Sequence, residues 1–239
     1  MWLRWLFKFF VIIYKLQFEK ENLDGNIVND YVKDFLLDNI NLNLSDELLK
    51  IENEALKNNV PIIDKEVQSL IKMFLCILKP EKILEFGTAV GFSALFMYEV
   101  LDGNVMIDTM ERDEERIQIA KNNFKYFECE NKINLIEGDC FNNLNKISTE
   151  YDLIFVDSSK SHYEKLFNIS IQKLSKNGII IFDNVLYKGM VASDDLVQKR
   201  KKTIVKNMRT FIQNVVNEEK FFTLLLPIGD GVMILRRKN

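Results

Sequence analysis

Two periods of hydrophobicity alternate along most of this chain. Short apolar runs at 83–86, 104–110, 133–137, 151–156 and 178–182 read as strands, and between them residues 93–101, 113–127 and 163–174 carry apolar side chains at helical spacing. Strands that are apolar on both faces, each followed by a helix, predict a parallel sheet covered on both sides. A last helix at 195–216 leads into 222–227, a Gly229-Asp230-Gly231 turn and 232–236, so the sheet should finish in an antiparallel hairpin. Upstream, helices are expected at 27–39, 45–57 and 65–78, with Ser45 as an N-cap and Asp46 and Glu47 in an acidic first turn. Residues 1–58 are thus a helical extension that packs on the core or on a partner subunit, ahead of a main unit at 59–239. With no repeats and no long linker, the whole reads as one structural domain.

Residues 1–17 (MWLRWLFKFFVIIYKLQ) depart from this order, being apolar on nearly every helical face and interrupted by Arg4, Lys8 and Lys15. A membrane span needs roughly 20 uninterrupted apolar residues, and a signal peptide needs small residues at a cleavage site; the segment has neither. It reads as a helix against a partner subunit, giving a homodimer, as an interfacial membrane helix, or as a translation start placed too far upstream. The remaining composition narrows the chemistry. A net charge of −3 does not advertise nucleic acid over the whole surface and leaves room for a local basic patch. Cys76, Cys129 and Cys140 are odd in number and lack metal-type spacing, which points to a reducing, cytoplasmic setting. His162 is the single histidine, so a His-rich metal site or a catalytic triad has little to stand on.

In an open parallel sheet, ligands lie beyond the carboxyl ends of the strands. Gly87 and Gly91 follow the first strand of the alternating region and open a helix, where unpaired N–H groups can meet a polar ligand. Thr88, Ala89 and Val90 fill the space between them, which is a poor match to the dinucleotide pattern G-x-G-x-x-G. Polar residues interrupt the apolar strands at the same end: Glu85, Glu111, Asp139, Asp157, Asp183 and Asn184. Glu111 is placed to accept hydrogen bonds from a ribose or to sit as a neighbour of the next helix's N-cap, and Asp139 could take the exocyclic amine of adenine or be no more than a Gly-Asp turn. Asp157, Asp183 and Asn184, at the tips of two consecutive strands, form a half-shell of oxygen donors that suits Mg²⁺; the bland reading is that each caps the segment after it. Lys160 lies on the loop above, where a neighbouring cation would favour its neutral amine and let it act as a base. Between Lys199 and Asn217 there are six basic and no acidic side chains, a solvated helix face or a place for a phosphate backbone to dock.

Those residues together carry a resemblance. Glu85-x-Gly87-x-x-x-Gly91-x-Ser93 is similar to the first motif of class I S-adenosylmethionine (SAM) methyltransferases. With Glu111-Arg112-Asp113, Gly138-Asp139-Cys140, Asp157-Ser158-Ser159-Lys160, Asp183-Asn184-Val185 and Gly229-Asp230-Gly231, the chain from about residue 60 to 238 resembles the cation-dependent O-methyltransferases, which include the catechol and caffeoyl-CoA enzymes. The resemblance implies a Rossmann-like, mostly parallel seven-stranded sheet, and makes 59–239 the methyltransferase domain. It further implies that Gly87 and Ser93 hold the methionine end of SAM beside Glu85, that Ile63 packs over it, and that Glu111 binds the ribose. Asp139 and Cys140 would border the adenine, Asp157, Asp183 and Asn184 would hold Mg²⁺, and Lys160 would be the base. The tryptophan that gates the catechol enzyme's pocket is replaced by Ser159. A bacterial branch that methylates 5-hydroxyuridine at the tRNA wobble position is more similar still, through Val60-Pro61-Ile62-Ile63, residues 183–191 and the basic run 199–205. The implied reaction is methylation of that 5-oxygen in the tRNA anticodon loop, with Lys188, Lys199, Arg200, Lys201 and Lys202 on the RNA; the alternative acceptor is a small vicinal diol or phenol of the catechol or caffeoyl-CoA type.

Overall fold

The computed structural model describes residues 28–147 and 150–238. Residues 1–17, and the readings attached to them, lie outside this range. Seven strands form one sheet in the order β3-β2-β1-β4-β5-β7-β6, where β1 is Lys82–Phe86, β2 Met106–Glu111, β3 Ile133–Glu137, β4 Tyr151–Val156, β5 Leu174–Phe182, β6 Phe221–Leu226 and β7 Val232–Arg237. Strands β1 to β5 pair in parallel, and β7 runs antiparallel to both β5 and β6. The expected hairpin finish is present.

The helices are α1 (Asp30–Asn39), α2 (Asp46–Lys57), α3 (Lys65–Leu78), α4 (Phe92–Val100), α5 (Glu114–Tyr126), α6 (Tyr163–Lys173) and α7 (Lys202–Val216). Local chemistry sets their starts. The Ser45 hydroxyl accepts from the Leu48 N–H at 3.2 Å, and the Asp113 carboxylate accepts from the Arg116 N–H at 3.0 Å. One expected boundary is wrong. The last helix begins at Lys202, not near residue 195, because Val197 and Gln198 are extended and split the preceding stretch into two short 3₁₀ turns. Arg209 holds that stretch in place, bonding the carbonyls of Met190 and Val191 and the Asp194 carboxylate.

Apolar residues on the two faces of the sheet make two cores. On one side Ile83, Leu153 and Ile181 meet α2, α3 and α4, whose Leu48, Ile71 and Leu95 are fully buried. On the other, Tyr163 of α6 and Phe211 of α7 pack with Phe182, with ring centroids 5.4 Å apart for Tyr163–Phe182 and 5.1 Å for Phe182–Phe211. These rings have lost all contact with solvent, so each removes a large apolar area from water. We expect Phe211→Ala to cost about 3–5 kcal/mol, measured as a lower urea midpoint with an unchanged slope.

Candidate active site

Strand order reverses at β1, whose neighbours β2 and β4 lead to opposite edges of the sheet. At such a switch point the loops beyond the strand ends diverge and leave a crevice. A cleft of about 440 Å³ lies there, lined among others by Pro61, Gly87, Glu111, Asp139, Asp157 and Asp183.

Gly87 has φ +108°, a left-handed conformation, and a Cβ built on it would lie 2.0 Å from the carbonyl oxygen of Asp157. The bare backbone is therefore required by the neighbouring strand end as well as by any ligand. Gly91 (φ +86°) serves packing: its Cβ would meet the Phe124 ring at 2.7 Å. Behind the turn, Glu85 is fully buried, and its two carboxyl oxygens accept from the hydroxyls of Ser93 and Thr109. Thr109 is joined in turn to Thr88 at 2.6 Å. Glu85 and Ser93 thus brace the turn from inside, and neither lines the cleft; Ile63 is buried beside it, while its neighbours Pro61 and Ile62 face it.

Glu111 lies in the cleft with its orientation set by three backbone donors: Ala89 N–H to Oε2 at 2.9 Å, and the N–H groups of Arg112 and Asp113 to Oε1 at 2.8 and 3.0 Å. Asp139 accepts from the Phe141 N–H at 2.8 Å and lines the cleft with Cys140, whose thiol is pushed up by burial and by the Asp139 charge.

At the other end, three oxygen donors converge. Lys160 Nζ donates to Asp157 Oδ1 at 3.2 Å and to Asn184 Oδ1 at 2.7 Å, so one nitrogen sits between two of them. Asp183 is 1% exposed. Burial, and then the Asp157 charge, push its carboxyl well above the usual carboxylate range, against a backbone bond from Asn184 and the Lys160 charge. The Asp183 main chain is pinned from below, where the buried Tyr163 hydroxyl donates to its carbonyl at 2.7 Å. Asn184 is left-handed at φ +53°, which asparagine tolerates better than most residues. Among the described residues no three His, Cys, Asp or Glu side chains cluster as a metal site; here the third donor is an amide oxygen.

These distances place Asp157, Asn184 and Lys160 around one point, and Asp183, Gly87, Glu111, Asp139 and Cys140 along the same cleft. Lys188 and Lys199, Arg200, Lys201 and Lys202 stand outside its lining. Sequence reasoning passed over Asp64, Arg112, Arg116 and Phe141, which also face the cleft, and gave Asp230 no role beyond a hairpin turn. The Asp230 carboxylate in fact accepts from the Lys188 N–H, and the Leu186 N–H bonds its carbonyl, so the hairpin turn supports the loop after Asn184.

Comparison with known proteins shows the family. The sequence profile of a family described as O-methyltransferase matches residues 40–238. The chain belongs to the O-methyltransferase family. This O-methyltransferase is 30% identical over 214 residues to the O-methyltransferase hkm8 of Aspergillus hancockii, covering 78% of this chain and 85% of that protein. It is 26% identical over 174 residues to the caffeoyl-CoA O-methyltransferase of Populus kitakamiensis, with 70% and 74% covered. In structure it is similar to the SAH-bound methyltransferase PaMTH1 of Podospora anserina, with a TM-score of 0.79 and 28% identity over 88% of this chain and 95% of that one.

The buried glutamate gives a prediction for this O-methyltransferase. Burial pushes the Glu85 carboxyl up from its ordinary 4.5 to about 7, so the fold holds that proton more tightly than the unfolded chain does. The resulting stability is fully present below pH 4.5 and is lost as pH rises through 7, a difference of about 3 kcal/mol. Urea midpoints of the ligand-free protein should fall across this window, and Glu85→Gln should flatten the fall.

Proposed function

We propose that this enzyme transfers the methyl group of SAM to one of two vicinal oxygens on an aromatic acceptor of the catechol or caffeoyl type, with a divalent cation held by Asp157, Asp183 and Asn184. The observation that carries this reading is the Lys160 ammonium seated between Asp157 and Asn184. It marks a point where a carboxylate and an amide oxygen meet on one positive charge, with the Asp183 carboxyl in the same cleft, and such hard oxygen donors suit Mg²⁺. A cation bound there would supply Lewis-acid chemistry, lowering the pKa of an acceptor hydroxyl and holding the adjacent oxygen.

The remaining roles fall to the chain's own groups. Glu111, preoriented by three N–H donors, accepts the ribose hydroxyls of SAM, and Asp139 and Cys140 border its adenine. Gly87 serves its methionine end with its bare backbone, Ser93 braces that turn from behind through Glu85, and Ile63 packs beside it. Lys160 Nζ, in its neutral amine form, takes the acceptor's hydroxyl proton and becomes the ammonium, so that the oxygen bonds to the methyl carbon as the carbon–sulfur bond breaks and the thioether leaves. Holding both partners in one cleft converts an encounter into a positioned displacement.

A second acceptor, 5-hydroxyuridine in tRNA, offers the same vicinal oxygen pair. One contact favours it: Lys201 Nζ lies 5.6 Å from the Tyr187 ring centroid, which brings the basic run 199–202 against the loop that follows Asn184. The caffeoyl-CoA name of the poplar relative favours the small acceptor.

Asp157→Ala should lower turnover of a catechol or caffeoyl ester by more than about a hundredfold, since even outer-shell changes at a metal cost 10–100-fold, with SAM binding partly retained. Full activity in that variant, or after chelation of divalent cations, would remove the metal from the reading. Paired charge reversal at Arg200 and Lys201 separates the acceptors: a small phenol should turn over as before, whereas a tRNA substrate should lose affinity and salt dependence together.

A further inference from the structure

Residues 58–64 join α2 to α3 with neither helix nor strand, and they carry one wall of the cleft. Pro61, Ile62 and Asp64 line the cleft, while Ile63 between them is buried. A segment outside any ladder needs other partners to fix its main chain. Upstream, the left-handed Asn59 (φ +54°) turns the chain, and the Val60 N–H donates to the Ala55 carbonyl at 2.9 Å. Downstream, one residue of α3 grips two successive carbonyls. The Gln68 main-chain N–H donates to the Asp64 carbonyl at 2.8 Å, as in any first helical turn, and its side-chain Nε2 donates to the Ile63 carbonyl at 3.0 Å. Gln68 is fully buried, and the same Nε2 donates to Glu52 Oε1 at 3.0 Å.

Glu52 decides which way that amide faces. It is a buried carboxylate of α2, and its second oxygen accepts from Lys65 Nζ at 3.2 Å. A carboxylate and a carbonyl both accept, so only the NH₂ end of the amide can stand between them. Three polar side chains are not the least costly way to join two helices, since buried ionic groups can often be exchanged for well-packed apolar ones without loss of stability. Apolar side chains, however, cannot hold a main-chain carbonyl at a set position. We propose that Gln68 is a positioning residue for the cleft. Its amide, oriented by Glu52 and Lys65, fixes the Ile63 carbonyl and with it the wall 61–64, against which the methionine end of SAM packs. This rests on the reading that the cleft takes SAM beside Ile63.

The probe is S-adenosylhomocysteine (SAH), titrated calorimetrically into the full-length protein without acceptor or metal, alongside amide hydrogen exchange at residues 62–64. Gln68→Met removes both side-chain donors but leaves Glu52 buried beside an apolar chain, so a lower thermal midpoint is expected together with weaker binding. Gln68→Met with Glu52→Met relieves that second effect. The midpoint should return towards the wild-type value, yet SAH should bind about tenfold more weakly, the scale of one hydrogen bond. Exchange at 62–64 should rise in the same variant while β1 and β4 keep their protection. The conservative Glu52→Gln, whose amide oxygen still accepts from Gln68, should bind SAH nearly as tightly as wild type and keep exchange slow. A double-methionine variant with wild-type affinity or wild-type exchange would reduce Gln68 to a packing residue, and one too unstable to titrate would make the cluster a support of the fold alone. Glu52→Gln binding as weakly as the double variant would assign the effect to the buried charge. Each of these overturns the inference. Failure of the wild-type protein to bind SAH would instead overturn the reading of the cleft, and the inference with it.

Discussion

Two carboxyl groups share a small, partly dry space only with a positive charge between them or a proton on one of them. Asp157 and Asp183 stand at the ends of adjacent parallel strands, where pairing fixes their backbones and leaves their side chains no room to separate. Lys160 meets this demand in the present structure. The same demand is the one the proposed divalent cation would meet, and removing one partner should be felt by the others. Much of the surrounding architecture acts to keep those strand ends in register.

Glycine is central to that task. The β1 and β4 ends approach so closely at Gly87 and Asp157 that a single Cβ would collide with main chain, and the next turn is braced by the buried Ser93–Glu85–Thr109–Thr88 chain of hydrogen bonds. The motif that reads as a ligand loop is thus in large part a packing solution. Its Glu85 and Ser93 act on the cleft through the turn they support.

The strands, the sheet's antiparallel finish and the strand-end donors were legible because each depends on local pattern. Uninterrupted apolar runs mark β1 to β5, and the polar residues just past such a run (Glu111, Asp157, Asp183) line the rim, whereas Glu85, one residue inside β1, is buried behind it. What the chain did not disclose depends on contacts between distant segments. The late start of α7 follows from Arg209 gripping residues some fifteen to twenty positions upstream. Asp64, with an ordinary meaning as a helix flank, faces the cleft, and Asp230 supports the loop after Asn184; the β6–β7 turn that carries Asp230 folds against α3, where a Cβ on Gly229 would lie 2.9 Å from the Asp64 carboxylate. Tyr163 read only as the first residue of a helix until the fold buried it under Asp183.

That tyrosine joins two regions that are usually considered apart. Its ring belongs to the aromatic layer beneath the sheet, while its hydroxyl fixes the carbonyl of an oxygen donor in the cleft. Any loosening of Phe182 or Phe211 is therefore transmitted along a rigid lever to the position of Asp183. On warming, geometry at the reacting oxygens should be lost before the sheet comes apart, so the heat limit of turnover would be set by the fit of three rings on the far side of the protein.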